Sequence, residues 1–239
     1  MLGTIVNTVA IILGGLLGIF LRKGIPENYK VTIMQGIGLS VMIIGLMGAF
    51  KTENTLLMVI SIVLGSIMGE IIRIEDKLED LGLWLEKMVG HNKETSVAKG
   101  FVTTSLIFCV GAMAIVGSLE SGLMGNHETL YIKSLLDGIS SIIFASTMGI
   151  GVVFSAASVF IYQGLITITA GAMKYLLVEE VIREMSAIGG LMIVGIALNI
   201  MEIKKVSVAN MLPAVLIPIF YLLLQPFFIN ISNILNNLF

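Results

Sequence analysis

IIFASTMGIGVVFSAASVFIYQGLITITAGAM, from Ile142 to Met173, contains no Asp, Glu, Lys or Arg. As one α-helix it would be about 48 Å long at ~1.5 Å per residue, well beyond a hydrocarbon core of ~30 Å. The stretch is therefore two membrane helices or one broken one, and Met148-Gly149-Ile150-Gly151 marks the interruption. The plainer reading is a tight turn between two spans. The sharper one is a broken or re-entrant pair lining a cavity, where irregular backbone at membrane depth is tolerated.

The rest of the chain has the same character. Thr4 to Leu21 is also free of charges. Of 239 residues, 56% are hydrophobic and 13% charged, and the mean hydropathy is +1.01. A soluble domain carries roughly 25% charged residues, so lipid is the expected solvent. The net charge of −2 and the lack of a basic stripe argue against a nucleic-acid partner. Cys109 is the sole cysteine, which excludes an intrachain disulfide. His91 and His127 lie far apart in polar connections, and the methionines form no ladder with Cys or His. No metal site and no cofactor are expected. Arg22 and Lys23 follow the first apolar run instead of preceding it, which reads as a transmembrane helix and not a cleaved signal.

Apolar runs of span length predict an all-α bundle of about eight transmembrane helices, with seven as the alternative. They are residues 3–21, 33–50, 56–72, 101–119, 131–148, 152–176, 185–201 and 208–229. Between the third and fourth, Leu78, Leu81, Leu85 and Met88 recur at helical spacing among Glu75, Asp76, Glu79, Glu86 and Lys87, so residues 75–99 read as an amphipathic connection. The Lys and Arg residues of the first and third connections put both on the cytoplasmic side, with the N-terminus outside.

The two ends of the chain resemble each other. Met34-x-x-Ile37-Gly38 returns as Met185-x-x-Ile188-Gly189, and Met42-Ile43-Ile44-Gly45 as Met192-Ile193-Val194-Gly195. This pairs the first three spans (residues 1–74) with the last three (151–239), leaving 100–150 as central helices within one membrane domain. Five spans separate equivalent helices, and an odd shift means opposite orientation. That is an inverted repeat, the plan of many secondary transporters.

Polar residues crowd the middle. Thr104 and Ser105 open the fourth span and Glu120 follows it; Asp137, Ser140, Ser141, Ser146 and Thr147 lie in the fifth; Gln163 lies within the sixth. Together with Gly149 and Gly151 at the interruption they are the candidate substrate contacts, with Asn7 of the first span as a secondary member. Asp137 sits four residues after Lys133, a spacing that lets them pair on one helix face. A carboxylate at membrane depth is costly and marks function, so Asp137 and Glu120 are the candidates for a coupling proton or sodium ion. The alternative for Asp137 is an N-cap on a span that starts later. Gly14-x-x-x-Gly18 and Gly65-x-x-x-Gly69 offer helix-packing faces, within the chain or between copies of a homodimer.

Residues 104–118, TSLIFCVGAMAIVGS, together with Lys133-x3-Asp137-Gly138, Phe144-Ala145-Ser146-Thr147-Met148-Gly149-Ile150-Gly151-Val152, Tyr162-Gln163-Gly164 and Gly3-Thr4-Ile5-Val6-Asn7, resemble signatures of the YdfK- and YqgA-like integral membrane proteins, a bacterial family of unknown function. The resemblance covers nearly the whole chain. It implies a polytopic protein of the bacterial inner membrane, of transporter type, with no established substrate. The expected function is secondary transport of a small polar solute or ion by alternating access. A passive channel and a structural or assembly protein are the alternatives. An enzyme is not expected, since no histidine lies within a span and no Gly-x-Ser-x-Gly elbow occurs.

Overall fold

The computed structural model describes residues 1–22, 27–89, 97–109 and 111–224. Among them there is no strand. The helices are α1 (Leu2–Arg22), α2 (Glu27–Ala49), α3 (Thr55–Ile72), α4 (Ile74–Val89), α5 (Val97–Cys109), α6 (Ala112–Leu123), α7 (Glu128–Met148), α8 (Gly151–Met173) and α9 (Glu179–Ile200), followed by a 3₁₀ helix, Val208–Leu216. Lipid cannot satisfy backbone N–H and C=O groups, so apolar segments of this length close their hydrogen bonds internally. Five helices (α1, α2 from Val31, α3, α8 and α9) are long and apolar enough to cross a membrane. Helix α7 is as long but carries Glu128, Lys133 and Asp137.

The structure differs from the expected spans in two places, the fourth run and the last. The fourth run is not one helix: α5 and α6 meet at a 61° bend beside Gly111, whose φ of 138° is open to glycine and strained for any other residue. Together they make a sixth, broken candidate span. The interruption at Gly149 is the plainer of its two readings, a tight turn between full-length α7 and α8. The last run opens as a 3₁₀ helix containing Pro213 and continues as helix to residue 224. Pro213 has no N–H to donate, which favours a short tight-wound segment over an ordinary α-helical start. Its expected remainder, up to Ile229, lies outside the described residues, as do Lys23, His91 and Lys93 of the polar connections.

Small residues set the packing. A Cβ on Gly14 would lie 2.2 Å from the carbonyl oxygen of Gly138, and one on Gly18 2.3 Å from that of Ile142. Helices α1 and α7 therefore touch backbone to backbone and run parallel. Gly65 and Gly69 press in the same way on Ala214 and Asn210 of the 3₁₀ helix, antiparallel to it. Both small-residue faces are thus consumed within the chain, and neither is free for contact between copies. Gly45 and Gly190 face each other across an antiparallel α2–α9 pair. Helix α8 lies antiparallel to α1, with Gly15 against Val153 and Gly164 against Met1, and parallel to α5–α6, with Val97 against Gly151 and Gly122 against Thr167. The core between these layers includes Ile11, Phe108, Phe144, Val152, Ile188 and Met192.

Candidate functional site

The face of α1 turned inward carries Thr4, Asn7, Ile11, Gly14 and Gly18, residues three and four apart. The two glycines let α7 approach so closely that polar side chains nearer the N-terminus of α1 meet those of α7. Asn7 Nδ2 donates to Asp137 Oδ2 at 3.0 Å. Lys133 Nζ lies 3.0 Å from Asp137 Oδ1 and 2.8 Å from Oδ2, with both side chains only 9% exposed. Asp137 does not cap a helix, because α7 begins at Glu128 and the carboxylate sits more than two turns inside it. A lone charge at the bilayer centre costs ~2.5–3.5 kcal/mol on insertion scales. The i, i+4 pair brings two charges of opposite sign into the span together, so no net charge is carried in.

The broken span runs past this pair. Cys109, the last residue of α5, is within electrostatic reach of both Lys133 and Asp137, and Tyr162 of α8 is within reach of Cys109. Around them lie polar atoms that are buried and unsatisfied: Thr4 Oγ1, Asn7 Oδ1, Ser118 Oγ, Ser141 Oγ and both amide atoms of Gln163. All five residues are 0% exposed. Native interiors leave few such groups; Ser61, Glu75 and Arg183 contribute one each elsewhere in the molecule.

The structure divides the sequence-expected residues. Asn7 and Asp137 meet directly, and Gln163 and Ser141 belong to the same buried, incompletely satisfied interior. Thr104, Ser146 and Thr147 instead spend their hydroxyls on carbonyls of their own helices, those of Gly100, Ile143 and Phe144. Ser105 donates across to Ser158, and Ser140 is half-buried. Ser146, Thr147, Gly149 and Gly151 cluster at the α7–α8 turn, about 13 Å along α7 from Asp137. Gly151 is there because a Cβ would meet the Val97 carbonyl oxygen at 2.2 Å. Glu120 lies in the last turn of α6, where it accepts from Thr129 near the start of α7. Sequence reasoning missed Thr4 and Ser118, which carry no mark separating them from other membrane hydroxyls. Lys133 did have a signal, its four-residue spacing from Asp137.

The two faces of the bundle differ. At the α9 C-terminal face a cleft of ≈ 470 Å³ opens between α4, α5, α9 and the following connection. Glu75, Lys99, Glu202 and Lys205 line its charged part, and Leu106 lies one turn before Cys109. Glu75 sits partly buried, and that burial raises its carboxyl above the usual value of 4.5 despite Lys205 and the Ser207 hydroxyl, both of which lower it. At the opposite face Glu184, 2% exposed, accepts from the Thr52 hydroxyl and the Glu53 backbone N–H, while Arg183 pairs with Glu53 at 2.8 Å.

Residues 2–223 match the model of a family described as "Protein of unknown function (DUF554)". The chain belongs to this family. It is 34% identical over 222 residues to "Uncharacterized membrane protein YdfK" of Bacillus subtilis (strain 168), covering 91% of this chain and 94% of that protein. It is 30% identical over 220 residues to "Uncharacterized protein YqgA" of Escherichia coli (strain K12), covering 90% and 94% respectively. No solved structure matches. Kinship with a membrane protein and at least five helices of spanning character make this a membrane protein.

Proposed function

We propose that the protein is a secondary transporter of the bacterial inner membrane, moving a small polar solute or ion by alternating access. The observation that carries this reading is the Lys133–Asp137 ion pair, buried with Asn7 between α1 and α7 of a bundle that also contains a broken span. Charged groups inside a membrane bundle and irregular backbone at that depth both belong to solute pathways. Discontinuous helices present freed N–H and C=O groups to the solute.

Packing directions support the inverted repeat. Helices α1, α2 and α3 each lie antiparallel against their expected equivalents α8, α9 and the 3₁₀ helix. The remaining two elements follow the same pattern, with α7 parallel to α1 and α5–α6 parallel to α8. These directions are the ones that an alternating, inverted arrangement of eight passes requires. The cleft at one face and the Glu184 contacts at the other then correspond to a carrier open toward the side that the Lys/Arg bias assigns to the cytoplasm.

Asp137→Asn keeps the shape and the Asn7 contact but removes the charge. Reconstituted in vesicles under an imposed proton or sodium gradient, the variant should lose at least ~100-fold in coupled uptake while eluting as wild type. Undiminished uptake removes Asp137 from the mechanism. Single-channel currents in a planar bilayer would overturn the carrier reading in favour of a pore.

A further inference from the structure

We propose that Thr4, Asn7, Ser118 and Gln163 form a binding site for a dehydrated monovalent alkali cation. The proposal rests on the transporter reading only for its purpose, as the coupling ion. The site itself stands on geometry.

The four residues come from α1, α6 and α8, three helices that pack on one another. Their heights agree. Gly3, next to Thr4, and Gly117, next to Ser118, press on the Leu130 side chain from two sides. Gly164, next to Gln163, faces the side chain of Met1, which precedes α1. Asn7 lies one turn along α1 from Thr4, on the same face. Each residue is 0% exposed, and none of the polar atoms concerned finds a hydrogen-bond partner, in this layer or elsewhere. Four buried groups from three packed helices, at one level, therefore lack a partner that the protein itself supplies.

The donor and acceptor inventory selects the sign of the ligand. The unpartnered atoms are four oxygens, Thr4 Oγ1, Asn7 Oδ1, Ser118 Oγ and Gln163 Oε1, and one nitrogen, Gln163 Nε2. The orientation of Asn7 is fixed by its Nδ2 donation to Asp137, so its free oxygen is acceptor-only. An anion needs donors, and one amide group plus two hydroxyls next to a carboxylate suit it poorly. A hard cation takes oxygen ligands. Asp137, through Asn7, puts a negative charge behind the ligand set. Lys133 already balances that charge, so the ion competes with the ammonium for it. That competition links ion binding to the charge pair.

The test is thermal unfolding of the purified full-length protein in detergent, with NaCl, LiCl or KCl replacing choline chloride at constant ionic strength. An alkali ion at about ten times its Kd should raise Tm by roughly 3–6 °C over choline. Thr4→Val and Gln163→Leu should both abolish the difference. Each removes an unsatisfied buried polar group without changing the side chain's bulk, so both variants should melt in choline at or above the wild-type temperature. No ion-specific shift, or a shift that survives both substitutions, overturns the site. The transporter reading fails separately: an ion-specific shift without any gradient-driven uptake leaves the cation site in place, and proton-driven uptake without a shift leaves the carrier without it.

Discussion

Asp137 and Glu184 are both buried carboxylates, 6% and 2% exposed, and they are finished very differently. Glu184 joins the α2–α3 turn to the start of α9, and its oxygens are taken by Thr52 and by the backbone of Glu53, with Arg183 alongside. Asp137 is held by Lys133 and Asn7, in a bundle whose Thr4, Ser118 and Ser141 hydroxyls and Gln163 amide have no partner. A saturated carboxylate at the membrane boundary is a fastening. On the proposed reading, a paired carboxylate among unsatisfied groups inside the bundle is a working part. The difference lies in what surrounds each charge, because the burial is nearly equal.

Substitutions can break this contrast. Lys133→Ala should have the largest effect, since it leaves Asp137 charged and alone; unfolding in detergent should be easier by ~3–5 kcal/mol. Replacing both members, Lys133→Met with Asp137→Leu, should restore the melting temperature while uptake in vesicles stays absent. Recovery of uptake in the double variant would make the pair a structural element like Glu184. Next in size, Glu184→Ala strips the partner from Thr52 and Glu53 and should cost ~1–3 kcal/mol, with uptake per folded molecule retained. Loss of uptake in a correctly folded Glu184→Ala protein would erase the distinction between the two carboxylates.

The smallest effect belongs to Glu75 in the cleft. Burial raises its carboxyl above the usual 4.5, so the folded protein favours the protonated form and carries a penalty at neutral pH. Glu75→Gln should melt slightly higher than wild type at pH 7–8. The gap should close as pH falls through the raised value toward 4.5, where wild-type Glu75 becomes protonated as well. A gap that widens on acidification would reverse the assigned direction.

Much of this was legible in the chain itself. Helices α1, α3, α8 and α9 follow from apolar runs of span length, and α7 from the run 131–148, on which the Lys133–Asp137 spacing allows a pair on one face. Asn7 and Gln163 stand out as amides in apolar surroundings. The bend at Gly111 was not legible, because the chain has 26 glycines and many of them serve close packing. Gly149 and Gly151 did mark the turn between two helices that the plainer reading expects, the first making it and the second admitting a neighbouring carbonyl. Nor did the sequence separate Thr4 and Ser118 from Thr104, Ser146 and Thr167. Any hydroxyl on a helix can bond its own backbone. Which ones fail to do so depends on rotamer and neighbours, and these exist only after the bundle closes.

The Asn7–Asp137 contact spans 130 positions of sequence. At a synthesis rate of ~5–20 residues per second, α1 leaves the ribosome roughly 6–26 s before the residue that Asn7 bonds. During that interval its polar face has no partner in the nascent chain. The centre of the molecule therefore forms late, and variants there should reveal themselves first as failures of biogenesis in the cell, with the polypeptide inserted but degraded before its halves meet.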